Sequence, residues 1–219
     1  MNAQVSILSS MASLVSRHAA AWAALVFVLA LAGLSGSVDG YSHLQHPVAW
    51  LGAQPLPHAT AFNLLVFVVP GLLVAWMALR LRTGLSPPGE AGGKALAGWV
   101  ARIGAQLVLL SALAFALQGI LPLDATDLDG ARSGRHAAAW MAWWIAFATG
   151  CGALAIGLRS DRRWHTTAAL SSLAAVLVPA CALVLPHLLP AGLAQRLAFA
   201  LWFAWAIHSG ETANRRAQP

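Results

Sequence analysis

Apolar residues fall along the chain in six blocks of about twenty, over 19–36, 61–80, 99–121, 136–158, 166–189 and 192–209, with polar stretches between them. At about 1.5 Å of rise per residue, each block as a helix is long enough to cross a hydrocarbon core roughly 30 Å thick. None shows the period-two alternation of an outer-membrane barrel strand. In lipid, every backbone amide must be paired within its own segment, so all six are expected to be helices. The fold class that follows is all-α: a polytopic membrane protein built as a bundle of six transmembrane helices. Before the first block, Val5, Leu8, Met11, Leu14 and Val15 recur at three- and four-residue spacing. Residues 1–18 therefore read as an amphipathic segment lying in the headgroups, 19–209 as the transmembrane domain and 210–219 as a cytoplasmic tail. The first block, preceded by Arg17 and followed by small residues, resembles a signal peptide but is taken as a retained span.

Composition agrees with this pattern and removes other classes. Of the 219 residues, 59% are hydrophobic and 9% charged, against roughly 25% charged in a soluble domain. The two cysteines, Cys151 and Cys181, lie inside apolar blocks without flanking charge, so they read as packing residues. Of the 13 Lys and Arg, all but Arg132, Arg135 and Arg196 fall on one side of the six-block arrangement. Basic residues favour the cytoplasmic side, which places both termini inside a bacterial-type inner (plasma) membrane. The net charge of +6 is then a topology signal. Nucleic acid is not expected as a partner, because no basic stripe interleaves with aromatics. The implied partners are membrane lipids and other membrane subunits. Most of the 10 tryptophans, Trp50, Trp99, Trp164 and Trp202 among them, read as interfacial anchors. Trp140, Trp143 and Trp144 cluster inside the fourth block, where they either pack or line a site.

Polar residues with chemical potential collect on the predicted outer side. The first outer loop, 38–58, carries Ser42, His43, His46 and His58 with Pro47, Pro55 and Pro57, whose restricted backbones suit a loop folded back onto the helix ends. The second block opens on Phe62-Asn63, and an asparagine at that depth requires a partner. The second outer loop runs from Gln118 through Pro122, Asp124, Asp127 and Asp129 to His136, which places a carboxylate and an imidazole at facing helix ends. Asp127-x-Asp129-Gly130 has part of a calcium loop, but Ala125 and His136 stand where ligands belong. The inner turn Ser86–Lys94 is glycine-rich without either nucleotide-binding spacing and reads as a flexible linker.

The order Ser42-x-x-x-His46-Pro47, Ala61-Phe62-Asn63, Val69-Pro70-Gly71-Leu72-Leu73, Gln118-Gly119-Ile120-Leu121-Pro122-Leu123-Asp124 and His136 resembles the multi-pass membrane proteins of domain of unknown function family 998. The resemblance covers about residues 20–160. It implies a six-helix topology and no particular activity.

Three functional readings use these residues. In a metal-assisted membrane hydrolase, His43, His46 and His136 would hold zinc, with Asp124 as fourth ligand or general base and Ser42 as a substrate contact. This makes Ser42, His46, Asp124 and His136 the candidate catalytic set. The arrangement distantly resembles membrane hydrolases related to alkaline ceramidase, but those carry a late-helix His-x-x-x-His pair, where this chain has only His187 and His208. In a small transporter of two inverted three-helix halves, Pro70 and Pro179 occupy corresponding mid-helix positions and act as hinges. In a non-catalytic subunit, scaffold or lipid-binding protein, small residues such as Gly150, Gly152 and Gly157 bring helices together. A haem variant would use His58 and His136 as axial ligands and has the thinner basis. Asn63, Gln118 and Trp140 are the candidate ligand-binding residues. The reading that unites them is a polar pocket on the outer face that binds or handles a lipid or small apolar molecule.

Overall fold

The computed structural model of the chain describes residues 16–85 and 95–217. The amphipathic spacing up to residue 15 and the turn at 86–94 lie outside the described residues. Within them the regular structure is helical, with no β-strand: α1 Ala19–Leu34, α2 Ala59–Gly84, α3 Ala95–Ile120, α4 Ala131–Leu158, α5 His165–Leu183 and α6 Ala191–Ala217. Five stretches are long and apolar enough to cross a membrane, namely Ala19–Ser37, Ala59–Gly84, Ala97–Ile120, Ala131–Leu158 and Arg162–His187. Their outward surfaces are apolar where a soluble protein would be polar: Leu29 is 63% and Val176 67% exposed. The chain is thus a multi-pass, membrane-embedded protein.

The sixth apolar block lies in α6, which is not one of the five. Ala194, Ala198, Phe199, Trp202, Trp205 and Ala206 of this helix are all buried. Gln195, Arg196 and His208, all part-buried, lower the hydropathy of this helix. The helix also continues to Ala217, so most of what reads as a tail from residue 210 onward is its last turns.

Consecutive helices pack side by side and antiparallel, and α6 closes the ring against α1 and α2. The α3–α4 seam is the tightest. A Cβ on Gly104 would stand 2.7 Å from the Gly150 carbonyl oxygen, and one on Gly157 would stand 2.5 Å from the Ala101 nitrogen. The centre is filled instead by rings: Phe115 of α3 stacks on Trp202 of α6 at 4.5 Å, and Phe27, Phe67, Trp143 and Phe199 close around them.

The two mid-helix prolines differ in their surroundings. Proline has no N–H to give and its ring crowds the carbonyl four residues back. Ahead of Pro70 the helix widens into a π turn over Leu64–Val68, which makes room for that ring. Gly71 beside it is pressed against Ala112 and Ala116 of α3. Pro179 sits inside α5 with no such widening. The positions match in sequence but not in local structure.

Candidate functional site

One end of the bundle is covered by a cap made of the 38–58 loop, the 121–130 loop and the first turns of α6. The 38–58 loop folds back as its prolines suggest, burying Val48, Leu51 and Ala53. It is stitched to the second loop by one parallel bridge, in which Gln54 N donates to Leu123 O (2.8 Å) and Ala125 N donates to Gln54 O (2.9 Å). It is pinned to α2 by Asn63, whose buried Nδ2 donates to the Gly52 carbonyl at 2.7 Å. Asn63 has therefore found its partner in the cap.

The third anchor comes from the far end of the chain. Arg196 of α6, half-buried, donates through Nη1 to the carbonyls of His46 (3.0 Å) and Gly192 (2.8 Å). Through Nη2 it meets the Tyr41 hydroxyl and His43 Nδ1, the latter at 3.3 Å. Its buried Nε has no partner. Gln195 Oε1 accepts from Val48 N (2.7 Å), and Leu193 N donates to Leu44 O (3.0 Å). Tyr41, His46 and Trp50 stack in sequence beneath this contact, 5.7 and 5.9 Å apart. Burial raises the Tyr41 phenol above its ordinary range against the opposing pull of Arg196, and burial followed by Arg196 lowers the His43 imidazole.

Ser42 and His46 lie together, but not as a nucleophile and its base. His46 Nδ1 accepts from the main-chain N–H of Ser42 at 3.0 Å, while the Ser42 hydroxyl accepts from Gln45 N. Hydroxyl and imidazole each close the same turn. Asp124 and His136 also stand apart, with no ion pair or hydrogen bond between them. Asp124 Oδ1 accepts from the Thr126 hydroxyl (2.7 Å) and N–H (3.0 Å), and Arg132 stands 3.9 Å from Oδ2. The Thr126 bonds are the main cause of a carboxyl held below its usual range. His136 is buried and turns Nδ1 to the carbonyls of Leu121 (2.9 Å) and Gln118 (3.1 Å). Both are acceptors, so Nδ1 carries the proton and the imidazole caps the end of α3, where carbonyls lack helical donors.

Among the described residues, no three His, Cys, Asp or Glu side chains come together as a set that could hold a metal ion. The zinc candidates His43, His46 and His136 are thus not gathered into one donor set. His58, the other haem candidate, is exposed at the start of α2 with a left-handed φ of 58°.

The unspent polarity lies deeper. Gln118 is fully buried and neither end of its amide has a hydrogen-bond partner. It lies one turn beyond Phe115 on the inner face of α3. The indole N–H groups of Trp143 and Trp202, whose rings lie 5.9 and 4.5 Å from Phe115, are also unpartnered. Trp140 sits at the edge of this cluster, 4.9 Å from Trp143 and 5.6 Å from Phe199. An unpaired buried polar group costs about 1–3 kcal/mol, so the Gln118 amide and the two indoles are features of the core that packing alone does not explain.

Sequence reasoning singled out Gln118, Asn63 and Trp140 and passed over Arg196, Tyr41 and Ser133. Arg196 gave one signal, a cation inside an apolar block. Ser133 gave none, though its buried hydroxyl donates to Asp127 O (2.8 Å) and accepts from Asp124 N (3.2 Å), holding the second loop in shape. No protein family is matched by the chain, no curated protein is similar to it in sequence, and no solved structure is similar to its fold.

Proposed function

We propose that this is a six-span protein of a bacterial-type inner membrane, with both termini cytoplasmic, that binds a lipid or small amphipathic molecule beneath the cap. The polar group of the ligand meets Gln118, Trp143 and Trp202, and its apolar part lies along the aromatic centre. The observation that carries this reading is Gln118, whose two amide ends are buried without partners. Sites of this kind combine apolar walls with a few placed polar groups. Trp140 borders the site, Asn63 holds its cover, and Ser42, His46, Asp124 and His136 shape that cover rather than reacting. The likeness to domain of unknown function family 998 belongs to the same proposal.

The sixth span is α6. Its stretch from Leu197 to Ile207 carries no charge, and its polar residues sit at the two ends or against other helices. The orientation rests on the clustering of Arg17, Arg80, Arg102, Arg159, Arg162, Arg163, Arg215 and Arg216 at the end opposite the cap. In a background lacking Cys151 and Cys181, Ser160→Cys labels only from the cytoplasm and Asp129→Cys only from outside. The reverse pattern overturns the topology.

Gln118→Leu tests the site. Removing an unpaired amide without changing volume much raises the stability of the ligand-free protein by about 1–3 kcal/mol, and the same change removes the lipid that co-purifies with wild type. Native mass spectrometry of the two proteins reads this directly. An unchanged complement of bound lipid in the variant refutes the reading.

A further inference from the structure

At the end opposite the cap, the start of α5 and the last turns of α6 enclose a cleft of about 220 Å³, several times the ~30 Å³ that one water occupies. Arg163, Arg215 and Arg216 line it, with His208 and the buried Thr167 and Thr212 as its floor. Two of the guanidinium groups have acidic neighbours. Arg163 donates twice to Asp161, at 3.2 Å each, and Arg215 stands 3.9 Å from Glu211 in an exposed pair. Arg216 is in no salt bridge among the described residues. Its guanidinium lies over the Trp164 ring at 4.5 Å and donates to the Arg163 carbonyl, and its Nε is buried without a partner.

The floor is polar and fixed. The Thr167 hydroxyl faces His208 Nε2 at 3.5 Å, and the Thr212 hydroxyl donates to the His208 carbonyl at 2.9 Å while accepting from Arg215 at 3.3 Å. The first turn of α5 adds the positive end of a 19-residue helix dipole. Arginine near the end of α6 is itself favoured by that helix's dipole, which accounts for the residue type but not for a hollow between the two helices. Guanidinium forks, the Thr167 hydroxyl and a helix N-terminus around one hollow match the three-cornered donor needs of a phosphate.

We propose that this cleft binds a phosphate group, carried either by the headgroup of an anionic phospholipid or by a soluble phosphate. The site is separate from the one beneath the cap and stands or falls without it.

The test uses the full-length protein in detergent, titrated in parallel with phosphatidylglycerol in mixed micelles and with inorganic phosphate, and followed by native mass spectrometry and thermal unfolding. Saturable binding of phosphatidylglycerol that weakens at least about tenfold in Arg163→Gln/Arg216→Gln, and not in Arg132→Gln at the other end, establishes a headgroup site. The same pattern with inorganic phosphate establishes the phosphate site with a soluble source. Binding of neither probe, or equal binding by the double variant, overturns the proposal. If the double variant does not fold, Thr167→Val, which keeps the side-chain shape, takes its place: several-fold weaker binding supports the site and unchanged affinity overturns it.

Discussion

At the cap end, Arg196 turns both of its Nη groups onto acceptors inside the protein: two main-chain carbonyls, a phenol and an imidazole. At the opposite end, Arg216 rests on Trp164 and one carbonyl and borders an open cleft. Both are cations near an end of the bundle, yet one fastens the fold and the other borders an open cleft. The cap end is also where the histidines and aspartates gather, the residues that chemistry would seem to need. His46, Asp124 and His136 among them direct their hydrogen bonds to turns and a helix end. A concentration of reactive residue types therefore does not locate a site; a polar group with unused bonding capacity and a low-dielectric surrounding locates it better.

The contrast breaks most sharply at Arg196. Arg196→Ala removes four contacts and leaves the part-buried His46 carbonyl without the guanidinium that donates to it, and is expected to cost about 1–3 kcal/mol, read by thermal unfolding and by faster amide exchange over residues 41–48. A loss no larger than that of Arg132→Ala removes Arg196 from its place as anchor. Gly192→Ala follows. Its Cβ would stand 2.5 and 2.7 Å from the carbonyl oxygens of His46 and Leu44, so the cap must shift, at about 1–3 kcal/mol, with the same exchange signature and the basic cleft untouched. Asp124→Asn is the smallest. The folded carboxyl titrates below its ordinary value, so its contribution is present above about pH 4 and fades as the pH falls through the lowered value. A scan of unfolding temperature against pH shows a steeper acid limb in wild type than in the variant. Identical limbs assign the acid response to other carboxylates.

How much of this was legible in the sequence depends on the range of the interaction. The five apolar helices follow from runs of residues that need no partner, and the fold-back of 38–58 follows from Pro47, Pro55 and Pro57. Asn63 stood out because an amide at the start of an apolar segment has to be satisfied from somewhere. The tie between Arg196 and His46 spans 150 positions, and no local pattern announces it. Ser42 and His46 mislead for a different reason: their spacing is that of a turn, and which donor of Ser42 meets the imidazole is decided by backbone geometry.

The bond between the first loop and the last helix also sets an order on biosynthesis. Tyr41, His43 and His46 leave the ribosome early, and Gly192, Gln195 and Arg196 close to the end. Until α6 has been made and has joined the others, the loop has neither its guanidinium nor its glutamine, and the stacked rings lack their clamp. A chain truncated within α6 thus keeps the ties of Gly52 to Asn63 and of Gln54 to the second loop but lacks those that hold residues 41–48, so the two halves of this loop are fastened at different moments of synthesis.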